Sequence, residues 1–547
     1  MVSLGSFIGN DEFVRCQALS KVESMGDASS VHRVAGTIAK LASSNVRNGR
    51  DIAGALLRCC VVPKVSYLCR TVRPDLLLPA ARRADDLLAT AFSSIYSIDR
   101  RIFTASASAV DRLAAARVRL PISLGGCGIR SAIATSEAAY VACVRAVAPS
   151  IVAASSNAAR LALLGLGAVD DPPALRVVAD LATRIGAMLP AVDRQLIALE
   201  CFTDDAKGGI QRKLTRAVET AAQQAAVEAA RVRDCNVMSA FLHSCDGRWL
   251  RTARLPHLQL TNEEALVRMQ RYLRQPLSAL AGLVGSRGLD AYGVRDGRAA
   301  HPGTVIDAFG DCFLSAYKAK DDAEWIHLHN ALCRALRTFA LQASVSAKLE
   351  GGKVRGTKKR PGDVRFAGDA GSHGWTAAHS RELWVDVTVV GPLCSTYITA
   401  AAAERGAAAA EAAKHKQTKY RNDIPGLAHF VPLAFETEGF VSVDVGRLLS
   451  GFAKKKADKL DLPAEEVKPL LKRWVQHWTD ELAVVHARYL ARAIHHRAGA
   501  CKEAQNPSYR RASTVDVDAA SSLPPPALMP STASAAVPAA AAAPAAP

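Results

Sequence analysis

An apolar segment with a carboxylate at its centre constrains this chain more than any other feature. The segment is Leu383-Trp384-Val385-Asp386-Val387-Thr388-Val389-Val390. Its β-branched and aromatic residues predict a central strand that is buried on both faces. A charged side chain in such a strand is almost never buried unless it is paired or binds a metal. The sequence therefore predicts a functional acid at Asp386, with a solvent-facing edge residue as the alternative.

A second acid and a lysine-bearing segment flank this strand. Asp363 follows a Pro-Gly turn at the start of another extended segment. An Ala-rich helix after the strand carries Lys416, Lys419 and Tyr420, whose spacing of i, i+3 and i+4 places them on one face. Two carboxylates at adjacent strand ends with an ammonium nearby can hold Mg²⁺ and support phosphodiester hydrolysis. The alternative is a solvated helix face with no chemical role.

These segments resemble the restriction-like endonuclease domain of the PD-(D/E)xK superfamily, in the form found at the C-terminus of site-specific non-LTR retrotransposons. The family pattern is a Glu, Arg-Pro-x-Asp-Val, Asp-Val-Thr on a strand, and Lys-x-x-Lys-Tyr on a helix. The matching residues are Glu350, Arg360-Pro361-Gly362-Asp363-Val364, Asp386-Val387-Thr388 and Lys416-Gln417-Thr418-Lys419-Tyr420. Thr388 stands where most of the superfamily has its lysine, so the resemblance implies a lysine supplied by the helix.

The resemblance implies a Mg²⁺- or Mn²⁺-dependent enzyme that nicks DNA. It implies that Asp363 and Asp386 bind the metal, with the Val387 carbonyl as a further ligand, and that Lys416 orients or activates the water. The residues implied to support the metal through water or to contact the phosphate are Glu350, Lys419 and Tyr420. Two alternatives remain open: a catalytically inactive nucleic-acid-binding remnant, and a reading frame without a cellular role.

The charge of the chain favours a polyanionic partner. The formal net charge is +18, which suits DNA and also the element's own RNA; a basic protein without such a partner is the alternative. The cluster expected to bind phosphates comprises Lys353, Arg355, Lys358, Lys359 and Arg360. A protein that nicks genomic DNA is expected inside the cell, in the nucleus.

The expected fold class is α+β, with helices over the N-terminal two-thirds followed by a small α/β restriction-endonuclease-like domain around a mixed sheet. Residues 1–132 resemble the thumb of non-LTR reverse transcriptases, most specifically over 120–132, and residues 133–300 resemble the helical connector. The nuclease domain is expected over 323–500. Residues 501–547 are rich in Ser, Pro and Ala and are expected to be disordered.

Two charged patterns in the helical part need separate interpretation. Ala84-Asp85-Asp86 echoes a polymerase signature but lies in an amphipathic helical pattern, and no fingers or palm precede it, so we expect no polymerase activity. Arg268, Arg271 and Arg274 are predicted to form a solvated helix face, with a phosphate-tracking helix as the alternative.

Residues 301–322 correspond to the zinc knuckle of the same family, but the pattern has decayed. The Cys pair is missing, Cys312 stands at the His position and Ala316 at the last Cys position. His329 and Cys333 share a helix face downstream, and a four-ligand site with Cys312 and His327 is the alternative to a relic without metal. We expect no zinc at this place.

The remaining composition bounds the cellular context. Thirteen cysteines without any Cys-x-x-Cys pair indicate a reducing compartment rather than a disulfide framework. No apolar run approaches the ~20 residues needed to span a bilayer, and the N-terminus lacks the pattern of a signal peptide. The sequence therefore predicts no association with membranes.

Overall fold

The computed structural model describes residues 2–3, 6–7, 10–24, 26–104, 106–154, 173–189, 209–231, 235–251, 256–286, 305–315, 323–349, 362–368, 381–424, 428–460 and 462–505. The N-terminal helices are α1 (Asp11–Glu23), α2 (Val31–Ala42), α3 (Gly49–Leu56), α4 (Val62–Thr71), α5 (Pro74–Tyr96), α6 (Ala109–Arg119), α7 (Ala132–Ala154), α8 (Pro173–Met188), α9 (Ile210–Arg231), α10 (Cys235–Ser244) and α11 (Asn262–Tyr272). The later helices are α12 (Asp311–Ser315), α13 (Ala323–Gln342), α14 (Ile398–Ala403), α15 (Ala407–Tyr420), α16 (Val443–Ala457) and α17 (Ala464–Gln505).

The strands form a short N-terminal hairpin and one mixed sheet. The hairpin pairs β1 (Val2–Ser3) with β2 (Ser6–Phe7). The sheet contains β3 (Ala347–Leu349), β4 (Val364–Ala367), β5 (Glu382–Val390) and β6 (Ala428–Glu436), in the order β3-β4-β5-β6. The first two pairings are antiparallel, and β5 pairs with β6 in parallel. A largely helical chain with a small mixed sheet in its C-terminal part confirms the α+β fold class.

The strand that carries Asp386 lies inside the sheet. β5 is flanked by β4 and β6, and every residue from Leu383 to Val390 is buried. Leu383 and Val387, on one face of β5, join an apolar core with α13, α16 and α17, whereas Val390 on the other face packs against the Ala-rich α15. The prediction of a central buried strand is therefore confirmed, and the edge-strand alternative is wrong.

The long C-terminal helix connects the sheet to the N-terminal bundle. α17 has 42 residues, about 60 Å of helix. Leu490 and Ile494 belong to the core around the sheet, while Val484 and Ala487 belong to the core of the N-terminal helices. The helix also continues to Gln505, past the domain end expected at residue 500.

Arg268 and Arg271 on α11 and Arg274, two residues past the end of this helix, are buried, which corrects both expectations for these arginines. Arg271 contacts the carboxylates of Glu438 and Asp311, and Arg274 donates to Asp311 Oδ1 at 2.7 Å. Arg268 donates to the Glu438 carbonyl at 2.9 Å. Buried guanidinium groups are tolerated when carboxylates and carbonyls satisfy them. The turn after β6 thus docks onto the helical part of the chain.

Asp85 lies in a helix, as the helical pattern around it predicted, and its carboxylate binds residues of neighbouring segments. Its carboxylate accepts hydrogen bonds from the Ala132 amide at 2.7 Å and the Ser131 hydroxyl at 2.5 Å, at the N-terminus of α7. Arg119 Nη1 lies 3.2 Å from the same carboxylate. An acid at a helix N-terminus is stabilised by the free amides and the helix dipole.

One helical segment meets the length and hydropathy criteria for a membrane span, which the sequence analysis did not expect of any segment. Among the described residues, Gly49–Thr71 is long and apolar enough to cross a membrane by length and composition. Half of its most apolar window is buried in the structure, and Leu57, Val61 and Leu68 lie in the N-terminal core. A core helix passes the same test, so the criterion is weak evidence for a membrane span.

Candidate active site

Asp363 caps β5 at the point where β4 separates from it. The Asp363 amide donates to the Val385 carbonyl at 2.7 Å, and the Asp363 carboxylate Oδ2 accepts from the Val387 amide at 2.7 Å. Because the N–H and C=O of a residue in a strand point to the same edge, the Val387 carbonyl also faces Asp363. Among the described residues, β4 does not pair with β5 beyond this point, so the Asp363 side chain lies at the sheet edge to which the Val387 carbonyl, the expected further ligand, also points.

Asp386 is 2% exposed and makes an ion pair with Lys416 of α15. Lys416 Nζ lies 2.8 Å from Asp386 Oδ2, although this oxygen accepts no well-aligned hydrogen bond from the described residues. Burial raises the pKa of Asp386 above its usual range, Lys416 opposes that rise, and the negative charge of Asp363 adds to it. The two acids thus interact electrostatically, and a lysine from the helix reaches the strand acid.

The helix that supplies Lys416 is held in place by Glu436 at the end of β6. Glu436 is fully buried, and its Oε1 accepts a hydrogen bond of 3.0 Å from the Ala409 amide in the first turn of α15. Carboxylates at a helix N-terminus satisfy free amides and interact favourably with the dipole. The strand paired with β5 therefore orients the helix that carries the lysine.

His329 also belongs to this cluster, although the sequence analysis did not predict it there. His329 Nε2 lies 2.9 Å from Asp363 Oδ2, and the Cys333 thiol, one turn further along α13, lies 3.9 Å from the same nitrogen. Burial lowers the pKa of His329, but hydrogen bonds to Asp363 and Cys333 outweigh it and raise the pKa to about 11. The sequence signal is the shared helix face of His329 and Cys333, which the sequence analysis considers only for the four-ligand zinc alternative with Cys312 and His327.

Tyr420 and Lys419 lie beside this cluster. The Tyr420 ring is buried and packs edge-on against Phe430, with centroids 5.6 Å apart. Lys419 Nζ lies 4.8 Å from the ring centroid and Lys416 Nζ lies 5.9 Å from it. The ring thus packs in the core and supports two cations, and a phosphate contact by Lys419 or Tyr420 stays a prediction.

Six residues assigned from the sequence lie outside the described residues. They are the supporting acid and the basic cluster: Glu350, Lys353, Arg355, Lys358, Lys359 and Arg360. Their assignments stay predictions. The structure therefore brings together Asp363, Asp386 and Lys416 from the predicted site and adds His329 and Cys333 from α13.

The donors that could hold a metal divide into two kinds. The Asp363 and Asp386 carboxylates are hard oxygen ligands of the kind that Mg²⁺ prefers. His329, Cys333 and Asp363 also offer ligand atoms that all lie within 4.8 Å of one another. Cys312 does not belong to this group, so among the described residues the four-ligand alternative for the knuckle is not assembled.

Comparisons with known proteins add no assignment. No protein-family model matches the chain, and no curated protein matches it.

Proposed function

We propose that the C-terminal α/β part of this protein is a Mg²⁺-dependent endonuclease that nicks DNA, as the resemblance to restriction-like endonuclease domains of retroelements implies. The observation that carries the proposal is the 2.8 Å approach of Lys416 Nζ to the buried Asp386 Oδ2, beside Asp363. Thr388 stands where the superfamily usually has its lysine, and a helix lysine is what the resemblance implies at this site.

In this proposal Asp363 and Asp386 hold the cation, whose charge stabilises the pentacovalent phosphate. The Asp363 side chain is 26% exposed among the described residues, which supports its access to a phosphate. Lys416 is paired with Asp386, and with a cation bound to the acids its ammonium group would orient the attacking water. The net charge of +18 supports attraction of the DNA polyanion.

The test is conversion of supercoiled plasmid to open circles, with Mg²⁺ and with EDTA. Asp386→Asn keeps the side-chain volume but removes a negative ligand, so Mg²⁺-dependent nicking should fall by orders of magnitude. Glu382→Gln is the matched control, since Glu382 lies on the same strand and is exposed. A wild type that nicks and an Asn variant that nicks equally well would remove Asp386 from the mechanism.

Lys416→Ala tests the second partner. Turnover should fall while Mg²⁺ affinity is retained, because the lysine acts on water and charge rather than on the metal. Lys414→Ala is the matched control, since Lys414 is exposed on the same helix. If Lys416→Ala nicks as fast as Lys414→Ala and the wild type, the activity belongs to another site.

A second candidate function is a catalytically inactive nucleic-acid-binding protein, and one observation favours it. Each acid of the cluster already has a cation within 3 Å, Lys416 for Asp386 and His329 for Asp363. Such a cluster is balanced in charge without a metal and stabilises the packing of two helices on the sheet. Under this candidate Mg²⁺ would leave the thermal unfolding unchanged and the plasmid intact, while DNA would still bind.

A further inference from the structure

The cluster at Asp363 contains donors that Mg²⁺ does not use. The imidazole of His329 and the thiol of Cys333 come from one face of α13, and the Asp363 carboxylate comes from the start of β4. Hard cations such as Mg²⁺ take oxygen ligands, whereas imidazole, thiolate and carboxylate together are the ligands of zinc and related borderline cations.

The spacing of these donors fits a single cation of that kind. Tetrahedral zinc with bonds of 2.0 to 2.3 Å separates its ligand atoms by about 3.3 to 3.6 Å. The observed separations are 2.9 Å between His329 Nε2 and Asp363 Oδ2 and 3.9 Å between His329 Nε2 and Cys333 Sγ. The third pair, Cys333 Sγ and the Asp363 carboxylate, lies within 4.8 Å.

The site is partly accessible, and the described residues supply three ligands to it. The side chains of His329 and Asp363 are 32% and 26% exposed, while Cys333 is buried behind them. Three protein ligands leave one position of a tetrahedral ion open.

We infer that His329, Cys333 and Asp363 form a binding site for a borderline divalent cation of the zinc type. The site shares Asp363 with the proposed Mg²⁺ pair but does not require nicking activity. The inference rests on the proposed function in one respect, because Asp363 belongs to both sites. A borderline cation bound here would compete with Mg²⁺ for the Asp363 carboxylate. This site differs from the decayed knuckle, because Cys312 takes no part in it.

The test is titration of the full chain with Co²⁺, because a thiolate bound to cobalt absorbs in the near ultraviolet. Wild type should show this absorption at one cobalt per chain, and Zn²⁺ should abolish it by displacement. Cys333→Ala and His329→Gln should lose it. Cys312→Ala and His327→Gln should keep it, since these controls change a thiol and an imidazole outside the cluster.

Two outcomes would overturn the inference. The first is a wild type that gives no thiolate absorption. The second is a Cys333→Ala variant that keeps the absorption at full strength, which would mean that another of the chain's cysteines binds the cobalt. Cys333→Ser, compared by circular dichroism and thermal unfolding, separates loss of the ligand from loss of the fold. Nicking without cobalt absorption would leave the proposed function standing alone, and absorption without nicking would leave the metal site alone.

Discussion

Lys416 on α15 and Asp386 on β5 form an ion pair of 2.8 Å in which the acid is buried and the lysine is partly exposed. The lysine reaches the acid because Glu436, at the end of the neighbouring strand, binds the first turn of the same helix. The pair therefore links the sheet to the helix that packs on it, and its energetics can be measured independently of catalysis.

A double-mutant cycle should show strong coupling between these residues. Lys416→Ala leaves a buried carboxylate without its cation and should lower the free energy of unfolding by about 1 to 3 kcal/mol. Asp386→Asn should lower the free energy of unfolding by less, because the neutral amide does not need a counter-charge. In the Asn background Lys416→Ala should cost little. Urea unfolding measures all four proteins, and equal costs of Lys416→Ala in both backgrounds would contradict the coupling.

Gly406 is required at the start of α15. Its φ of 81° lies in the left-handed region, and an added Cβ would approach the Phe440 ring to 2.3 Å. Gly406→Ala should therefore destabilise the protein by about 2 kcal/mol or more. Gly446→Ala is the matched control, because no atom lies within 4 Å of the added Cβ inside α16; it should stabilise by about 0.5 to 1 kcal/mol. Thermal unfolding checks both, and a neutral Gly406→Ala would contradict the predicted strain.

Asp51 should make stability depend on pH. Burial raises the pKa of Asp51 to about 6, although the Leu260 amide and Arg58 oppose the rise. The folded state then holds a proton that the unfolded state has lost, so stability falls as pH rises from about 4 to about 6 and stays reduced above. Asp51→Asn should relieve this loss, by up to about 3 kcal/mol at neutral pH and by little near pH 4.

Urea unfolding of the Asp51 variant across pH measures this effect. Asp99 is the control with the opposite sign, since hydrogen bonds from Arg101 lower the pKa of its carboxyl, so Asp99→Asn should not stabilise at neutral pH. A gain for Asp51→Asn that does not change with pH would contradict the assignment to its ionisation.

The basic cluster before Asp363 should govern the salt dependence of DNA binding. It comprises Lys353, Arg355, Lys358, Lys359 and Arg360. Each phosphate contact contributes about −0.9 to the slope of log K against log salt, so replacing all five by Gln should flatten the slope markedly. Fluorescence anisotropy with duplex DNA at several salt concentrations measures it. An unchanged slope would mean that these side chains remain solvated when DNA binds.

The hydrophobic pattern of a short segment was sufficient to predict whether that segment forms a strand or a helix. The β-branched run around Asp386 predicted a buried strand, and the structure places it between two neighbours. The helical spacing around Asp85 predicted a helix rather than a catalytic hairpin, and Asp85 lies within Pro74–Tyr96. Both predictions depend on hydrophobic periodicity, which is a property of short segments.

Partners distant in the chain were not predictable in this way. Arg271 has the spacing of a solvated helix face, but Glu438 and Asp311 meet it in the interior and satisfy its charge. The sequence suggests His329 only as one ligand of the alternative zinc site, yet packing of α13 on the sheet places it beside Asp363. Hydrophobic periodicity shows which side chains share one face of a helix or strand. It does not show which other element will pack against that face.

Hydrophobic periodicity was enough to predict the α+β class, the buried strand with its central acid and the helix that carries Lys416. Packing between distant segments pairs Lys416 with Asp386 and brings His329 and Cys333 to Asp363. It also buries Arg268, Arg271 and Arg274. The physical reason is that a charge enters the interior only with its counter-charge, and that counter-charge comes from segments brought together by packing.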